Sequence, residues 1–227
     1  MEEKSAILSR LIGEAKSIVF FGGAGVSTAS GIPDFRSATG LYNQQRNTNY
    51  SPETMLSYWF MVNHPQEFYT YKRENLHYPK AKPNLAHLAL ARLEARIPDL
   101  TVITQNIDGL HQAAGSKNVL ELHGSMQRFY CMNCGRNYPA DLVWAGEGVP
   151  YCPACQGMIR PDVVLYGEML DQSVMQKAQS AIRRADLMIV GGTSLVVYPA
   201  AGLLQYFRGK TLVLINQETT QIGRAHV

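Results

Sequence analysis

Four cysteines in two pairs constrain this chain more than any other feature. Cys131-Met-Asn-Cys134 is followed, after 17 intervening residues, by Cys152-Pro-Ala-Cys155. A C-x-x-C turn presents two thiolates to one ion, and a second such turn completes a tetrahedron. The spacing therefore matches a four-thiolate zinc site. Four thiolates leave no position for water, which makes the expected metal structural and not catalytic. The rival readings are a redox dithiol and a pair of disulfides. The N-terminus, MEEKSAILSR, mixes acidic and basic residues and has no apolar signal core, which points to a cytoplasmic chain. Thiols stay reduced in that compartment, so zinc is preferred to disulfides.

Outside the cysteine module, apolar runs alternate with helical patterns. Ser17–Phe21, Leu100–Thr104, Leu187–Val190 and Leu212–Ile215 read as buried strands. Ile7, Leu8, Leu11, Ile12 and Ala15 recur at helical spacing and predict an amphipathic helix over residues 3–15. Asn84 and Asp171 stand where N-caps belong, each ahead of a periodic apolar face. This alternation predicts an α/β fold, a Rossmann-like parallel sheet with helices on both faces. Residues 41–80 and 127–159 break the rhythm and read as insertions that form a small helical, zinc-binding domain. Residues 1–40, 81–126 and 160–227 are left for the dinucleotide-binding domain. The formal charge of +3, with no basic run longer than Arg183-Arg184, gives no ground for direct nucleic-acid binding. No apolar stretch is long enough to span a bilayer.

The strand ends carry the polar residues. Gly23-Ala24-Gly25 follows the first strand, as a dinucleotide-binding turn should, although Thr28 stands where a third glycine is usual. Such glycines let backbone approach a pyrophosphate, which the amides of a following helix can bind. The next strand end has no obvious ribose-binding acid, which disfavours a hydride-transferring dehydrogenase. Gly209-Lys210-Thr211 looks like the end of a P-loop but leads into a strand, and reads as a turn. Ligands of open α/β sheets bind beyond the carboxyl ends of the strands. Here those ends hold Asp34-Phe35-Arg36, Gln105-Asn106-Ile107-Asp108, Gly192-Thr193-Ser194 and Asn216-Gln217. His123, between the run Val119–Leu122 and Gly124, is the histidine best placed to be a general base. His64, His77, His87, His111 and His226 read as surface or packing residues.

Taken together, these segments resemble one family. GAGVSTASGIPDFR at 23–36, TQNIDGLH at 104–111, LHGS at 122–125, the four cysteines, VVLYGE at 163–168 and GTSLVVYPAA at 192–201 occur in the order found in sirtuins. The resemblance is to their bacterial NAD-dependent protein deacetylase branch, and it runs from about Ile18 to Asn216. It implies that NAD, as co-substrate, and an acyl-lysine protein meet in a cleft between the two domains. By similarity, Ala24, Thr28, Phe35, Arg36 and Gln105 line the NAD site, and Thr193, Ser194, Asn216 and Gln217 hold its adenosine half. Asn106, Ile107 and Asp108 form the nicotinamide pocket, with Asn106 and Asp108 also ordering water and ribose, and His123 is the base. The implied reaction releases nicotinamide, which is an expected inhibitor as well as a product, and moves the acyl group to ADP-ribose. The substrate peptide is implied as a strand between Val163–Tyr166 and Leu195–Tyr198, touching Val163, Val164, Tyr166 and Leu195.

The same resemblance leaves alternatives: mono-ADP-ribosyl transfer, an NAD-responsive binding module, or removal of longer or succinyl groups. Sirtuins that prefer acidic acyl groups resemble one another in a Tyr-x-x-Arg pair. Here Tyr69 is followed by Lys72, with Arg73 one residue on. Lysine lacks arginine's planar fork, so neutral acyl groups are expected to be removed first. Lys72 and Arg73 read as solvated helix charges at least as readily as substrate contacts. Many sirtuins have Phe where Tyr166 stands, and the added hydroxyl needs water or a partner. After Asn216 the family continues through another strand and helix, whereas this tail, QETTQIGRAHV, departs from it. The expectation is a truncated or foreign end that weakens the last adenine contacts.

Overall fold

Strands that are buried at every position need cover on both faces, and the long-range packing supplies it to the three central strands. The computed structural model describes residues 2–37, 40–43 and 49–217. In chain order its elements are α1 (Glu2–Glu14), β1 (Ile18–Gly22), α2 (Pro52–Met55), α3 (Tyr58–Asn63), α4 (Pro65–Asn75), α5 (Leu85–Arg96), β2 (Leu100–Thr104), α6 (Leu110–Ala113), β3 (Val119–Glu121) and β4 (Gly124–Cys131). They continue through β5 (Asn137–Pro139), α7 (Ala140–Ala145), β6 (Ile159–Val163), α8 (Gln172–Arg184), β7 (Leu187–Gly191) and β8 (Thr211–Ile215). Short 3-10 turns cover Ala24–Val26, Thr28–Ser30 and Ala200–Tyr206.

The large sheet runs β3-β2-β1-β7-β8, and every pairing is parallel. Alternate residues of β1 serve opposite faces. Ile18 and Phe20 pack with Leu8 and Leu11 of α1 and Leu90 of α5. Val19 and Phe21 pack with Ala178 and Ile182 of α8 and with Leu203. The expected caps are present. Asn84 Oδ1 accepts from the Ala86 amide at 2.9 Å, and Asp171 Oδ1 accepts from Ser173 and Val174 at 2.7 and 3.0 Å. Ser17, expected in the first strand, stays outside it because its amide bonds Asp186 Oδ1 at 3.2 Å.

The chain leaves β1 toward β2 and β3, then returns to β1's other side as β7. A crevice opens where strand order reverses, beyond the carboxyl ends of β1 and β7. Two backbones lie on each other there. The Gly25 amide bonds Gly192 O at 2.8 Å. A methyl group added at Gly25 would fall 2.9 Å from Gly192 Cα, and one at Gly192, whose φ is +57°, 2.4 Å from the Val26 nitrogen. The helix expected after the glycine turn is replaced by two 3-10 turns, since close packing against Gly192 holds the chain in tighter bends.

The cysteines sit on a separate antiparallel sheet, β5-β4-β6. Their four sulfurs lie within 4.8 Å of one another, with Cys131 and Cys155 at 3.4 Å and Cys134 and Cys152 at 3.7 Å. None is in a disulfide. A zinc–sulfur bond of about 2.3 Å gives a tetrahedron with edges of about 3.8 Å, so the donor set fits a structural zinc. Helices α3 and α4 pack Phe60, Phe68 and Tyr69 against Met126, Val163 and Leu165. The small sheet reaches beyond the segment 127–159 marked by the cysteines. Its strands keep pairing as far as Gly124 with Val163, well past the metal turns.

Elemental analysis of the purified protein is expected to find one zinc per chain. Cys131→Ala should lose the metal and unfold the small sheet, because a preformed site does not outlive its ion. Folded protein free of zinc would refute the assignment.

Candidate active site

Three crossovers deliver polar side chains to the crevice, and one buried serine joins them. Ser27 is 1% exposed. Its Oγ donates to Asp108 Oδ2 at 2.7 Å and accepts from Asn106 Nδ2 at 3.1 Å. Asn106 Nδ2 also donates to Gly23 O at 3.1 Å, which fixes the orientation of its amide. The other Asp108 oxygen accepts the Leu110 amide at the start of α6, at 2.9 Å. From the β7 side, Thr193 Oγ1 accepts Gln105 Nε2 at 3.0 Å and the Leu195 amide at 3.2 Å. The loops after β1, β2 and β7 are thereby cross-linked.

His123 closes the arrangement from the end of β3. Its Nδ1 lies 2.9 Å from Gln105 O. A carbonyl only accepts, so Nδ1 carries the hydrogen and the neutral ring keeps its lone pair on Nε2. Burial holds the His123 pKa below the ordinary 6.5, partly offset by the bond to Gln105. The ring is therefore neutral at neutral pH, the state a base requires. The His123 carbonyl accepts the Val164 amide at 3.0 Å, tying the histidine to the segment after β6.

These groups line one cleft of about 1610 Å³. Pockets for one drug-sized ligand measure about 300–1,000 Å³, so the cleft has room for two substrates. Ala24, Thr28, Phe35 and Arg36 come to it from the first crossover. Gln105, Asn106, Ile107, Asp108 and His123 come from the second and third strands, and Thr193, Ser194, Asn216 and Gln217 from the far side. Val163, Val164 and Tyr166 form its rim.

A model of the Sir2 family matches residues 23–199. The chain belongs to the Sir2 family. It is 54% identical over 222 residues, 97% of this chain and 91% of the relative, to an NAD-dependent protein deacetylase of Clostridium perfringens. A solved Sir2 variant with a deacetylated p53 peptide and 3'-O-acetyl ADP ribose superposes with a TM-score of 0.87, at 40% identity, covering 98% of this chain and 90% of that one. A Sir2 structure with p53 peptide and NAD+ superposes at 0.84, with 41% identity and coverage of 97% and 90%.

In this Sir2 chain Leu195 stands apart from the other expected site residues. Its side chain is buried in the core beside α8, and its φ of 57° is not that of an extended strand. Tyr166 finds the partner its hydroxyl needs, Tyr42 Oη at 2.7 Å. His87 and His111 are packing residues as expected, fully buried with rings 4.6 Å apart. His64 stacks on Phe60 and His77 on Trp144, while His226 lies outside the described residues, as does the tail from 218 onward. Among the described residues no helix is long and apolar enough to cross a membrane.

Three features of this Sir2 site escaped sequence reasoning. Ser27 lay inside the glycine segment without a sign of its linking role. Arg160, 4% exposed, grips both Glu168 oxygens at 2.6 and 2.7 Å and Val163 O at 2.8 Å. Glu168 in turn accepts the Leu165 amide at 2.8 Å, so the pair shapes the rim. Lys72 and Arg73 are not solvated helix charges. Arg73 donates to Gly148 O at 2.6 Å, and Lys72 is wholly buried. The phase of α4 explains this, since Lys72 lies one turn beyond Phe68 on the buried face.

Ser27→Ala should leave Asn106 and Asp108 short of a partner. The expected cost is about 1–3 kcal/mol in urea unfolding, with a raised KM for NAD. Wild-type values for both would remove Ser27 from this role. A second expectation concerns acid. Burial lowers the pKa of His87 and His123 and takes His111 to about 4. Below pH 6.5 the unfolded chain binds protons that the folded chain does not, so stability present above 6.5 is lost as pH falls. Urea midpoints should drop between pH 6.5 and 5; an unchanged midpoint there would contradict it.

Proposed function

We infer that this chain is an NAD-dependent protein-lysine deacetylase. The observation that carries this is the neutral His123, held through Nδ1, sharing one cleft with the Ser27-linked Asn106 and Asp108 in a Sir2 chain. Its solved relatives hold NAD+ and acetylated or deacetylated peptides. NAD supplies, when bound, a ribose carbon activated by its nicotinamide leaving group. Ile107 and Asp108 would hold the carboxamide, and Asn106 would order water and ribose beside it. Ala24, Thr28, Phe35, Arg36 and Gln105 would bind the nucleotide's reactive half. Thr193, Ser194, Asn216 and Gln217 would take the adenosine half. His123 Nε2 accepts the proton of a ribose hydroxyl as the acyl group moves from lysine to ADP-ribose.

The acetylated protein adds as a strand at the rim, at Val163, Val164 and Tyr166. The amides of Val164, Leu165 and Tyr166 are already bonded, and so are the carbonyls of Val163, Leu165 and Tyr166, so added pairing would use the Val164 carbonyl and the second lone pairs of the others. Leu195 would act only through its backbone. Main-chain pairing of this kind carries little sequence preference. Nicotinamide, as product, would compete for the Asp108 pocket. No basic stripe supports nucleic-acid binding. The division into a dinucleotide-binding part (1–40, 81–126, 160–227) and a small helical, zinc-binding part (41–80, 127–159) belongs to the same reading. It is supported by the two cores of the large sheet, which draw no residue from 41–80 or 127–159, while the core around α3 and α4 also takes in Met126, Val163 and Leu165.

His123→Ala should lower kcat/KM on an acetyl-lysine peptide by at least about a hundredfold, within the 10²–10⁴ range of general-base catalysis, while NAD still binds. Mass spectrometry should find free lysine and acetyl-ADP-ribose; ADP-ribosylated protein instead would mark a transferase. In wild type, kcat/KM should be flat above pH 6.5 and fall in acid with a midpoint below that value, since protonated His123 cannot accept a proton.

A further inference from the structure

The Tyr166 hydroxyl ties together two parts of the cleft that lie far apart in sequence. The Tyr166 backbone is fixed by the turn between α2 and α3: its amide donates to Leu56 O at 3.1 Å, and its carbonyl accepts the Tyr58 amide at 3.0 Å. The hydroxyl meets Tyr42 Oη at 2.7 Å, a contact across 124 residues of chain. Tyr42 belongs to the segment that carries Phe35 and Arg36. Its amide donates to Phe35 O at 2.9 Å, and the Leu41 amide donates to Asp34 O at 2.7 Å. The Phe35 and Tyr42 rings meet edge to face at 5.4 Å, and the Arg36 guanidinium carbon lies 5.4 Å from the Tyr42 ring centroid. Asp34 Oδ1 accepts the Arg36 and Ser37 amides at 3.0 and 2.8 Å. Asn43 Nδ2 donates to the Arg36 and Ser37 carbonyls at 3.1 and 2.7 Å.

Bonds internal to a segment set its shape and not its place. The Tyr42 hydroxyl adds a tether from this segment to a rim that α2 and α3 hold. Phe35 and Arg36, read as contacts of the reactive half of NAD, both lie against the Tyr42 ring. The residues read as adenosine contacts, Thr193, Ser194, Asn216 and Gln217, come from the loops after β7 and β8, which include neither tyrosine. The tether needs tyrosine at 166, because a phenylalanine there has no atom to bond Tyr42. Tyr166 is 41% exposed and Tyr42 half-buried, so water can reach whichever hydroxyl is left when the other is removed. We propose that the Tyr42–Tyr166 hydroxyl pair positions Phe35 and Arg36 for NAD, so that Tyr166, a rim residue for the acetylated protein, also sets the affinity for the dinucleotide. The inference rests on the reading of this cleft as the NAD site of a deacetylase.

The test is calorimetric titration with NAD and, separately, with AMP, which carries the adenosine half alone. Wild type, Tyr42→Phe, Tyr166→Phe and the double variant are compared without peptide, so that no acyl transfer takes place. NAD affinity should fall at least about threefold in each single variant, within what one intramolecular hydrogen bond contributes. The double variant should bind NAD no more weakly than either single one, since each change removes the same bond. AMP should bind wild type and variants alike. Unchanged NAD affinity, or losses that add in the double variant, would overturn the inference. So would an AMP affinity that falls as far as that of NAD, which would make the tyrosines structural. With an acetyl-lysine peptide, KM for NAD should rise by a larger factor than KM for the peptide, and the reverse order would count against the pair. If wild type binds NAD but deacetylates no peptide, the deacetylase reading fails, and the pair is judged on the NAD and AMP affinities. Wild type that binds no NAD overturns both.

Discussion

Everything at the crevice depends on backbone lying against backbone where β1 and β7 end. Gly25 and Gly192 touch with no room for a side chain on either. That contact closes the switch point of the sheet and bends the chain after β1 into 3-10 turns. The bends place Ser27 inside, facing the loop after β2, instead of on a helix surface. Asn106 and Asp108 are then oriented by a hydroxyl from another crossover. Lengthening either glycine by one methyl group would push apart the strands that carry both halves of the site.

Much of this was legible because it is local. A fully apolar five-residue run bounded by glycine, a cap two residues before an amide, and a pair of C-x-x-C turns each declare themselves within a few positions. The site's position followed from a general rule about strand ends, and its residues from the family resemblance. What remained hidden is tertiary. Nothing in GAGVST distinguishes Ser27 from Thr28, yet one is buried and bonded across 81 residues and the other is exposed. Lys72 and Arg73 read as surface because α4 carries several polar residues. Only the sheet packed beneath the helix decides which face is covered. Leu195 was read as a contact of the substrate strand, but it has a left-handed backbone and its side chain lies in the core.

Burial does different work on the two kinds of base in the cleft. For His123 it opposes protonation and leaves a ring that is ready to accept. For Lys72 it opposes a charge that the amine carries by default. Both effects come first from burial away from water, acting on groups with different starting affinities for a proton.

His123 stands immediately before β4, and Val164 immediately after β6, and the two strands pair along the stretch between these residues and the cysteines. The base and the rim that would receive a substrate are therefore the two ends of one ribbon, joined by the hydrogen bond from the Val164 amide to the His123 carbonyl. Their mutual position is set at the ribbon's mouth, not by what lies between. A change of length within the distant stretch from 132 to 158 that still clasps its ion, and still offers Gly148 to Arg73 and Trp144 to His77, would leave the histidine where it stands against the lysine it serves.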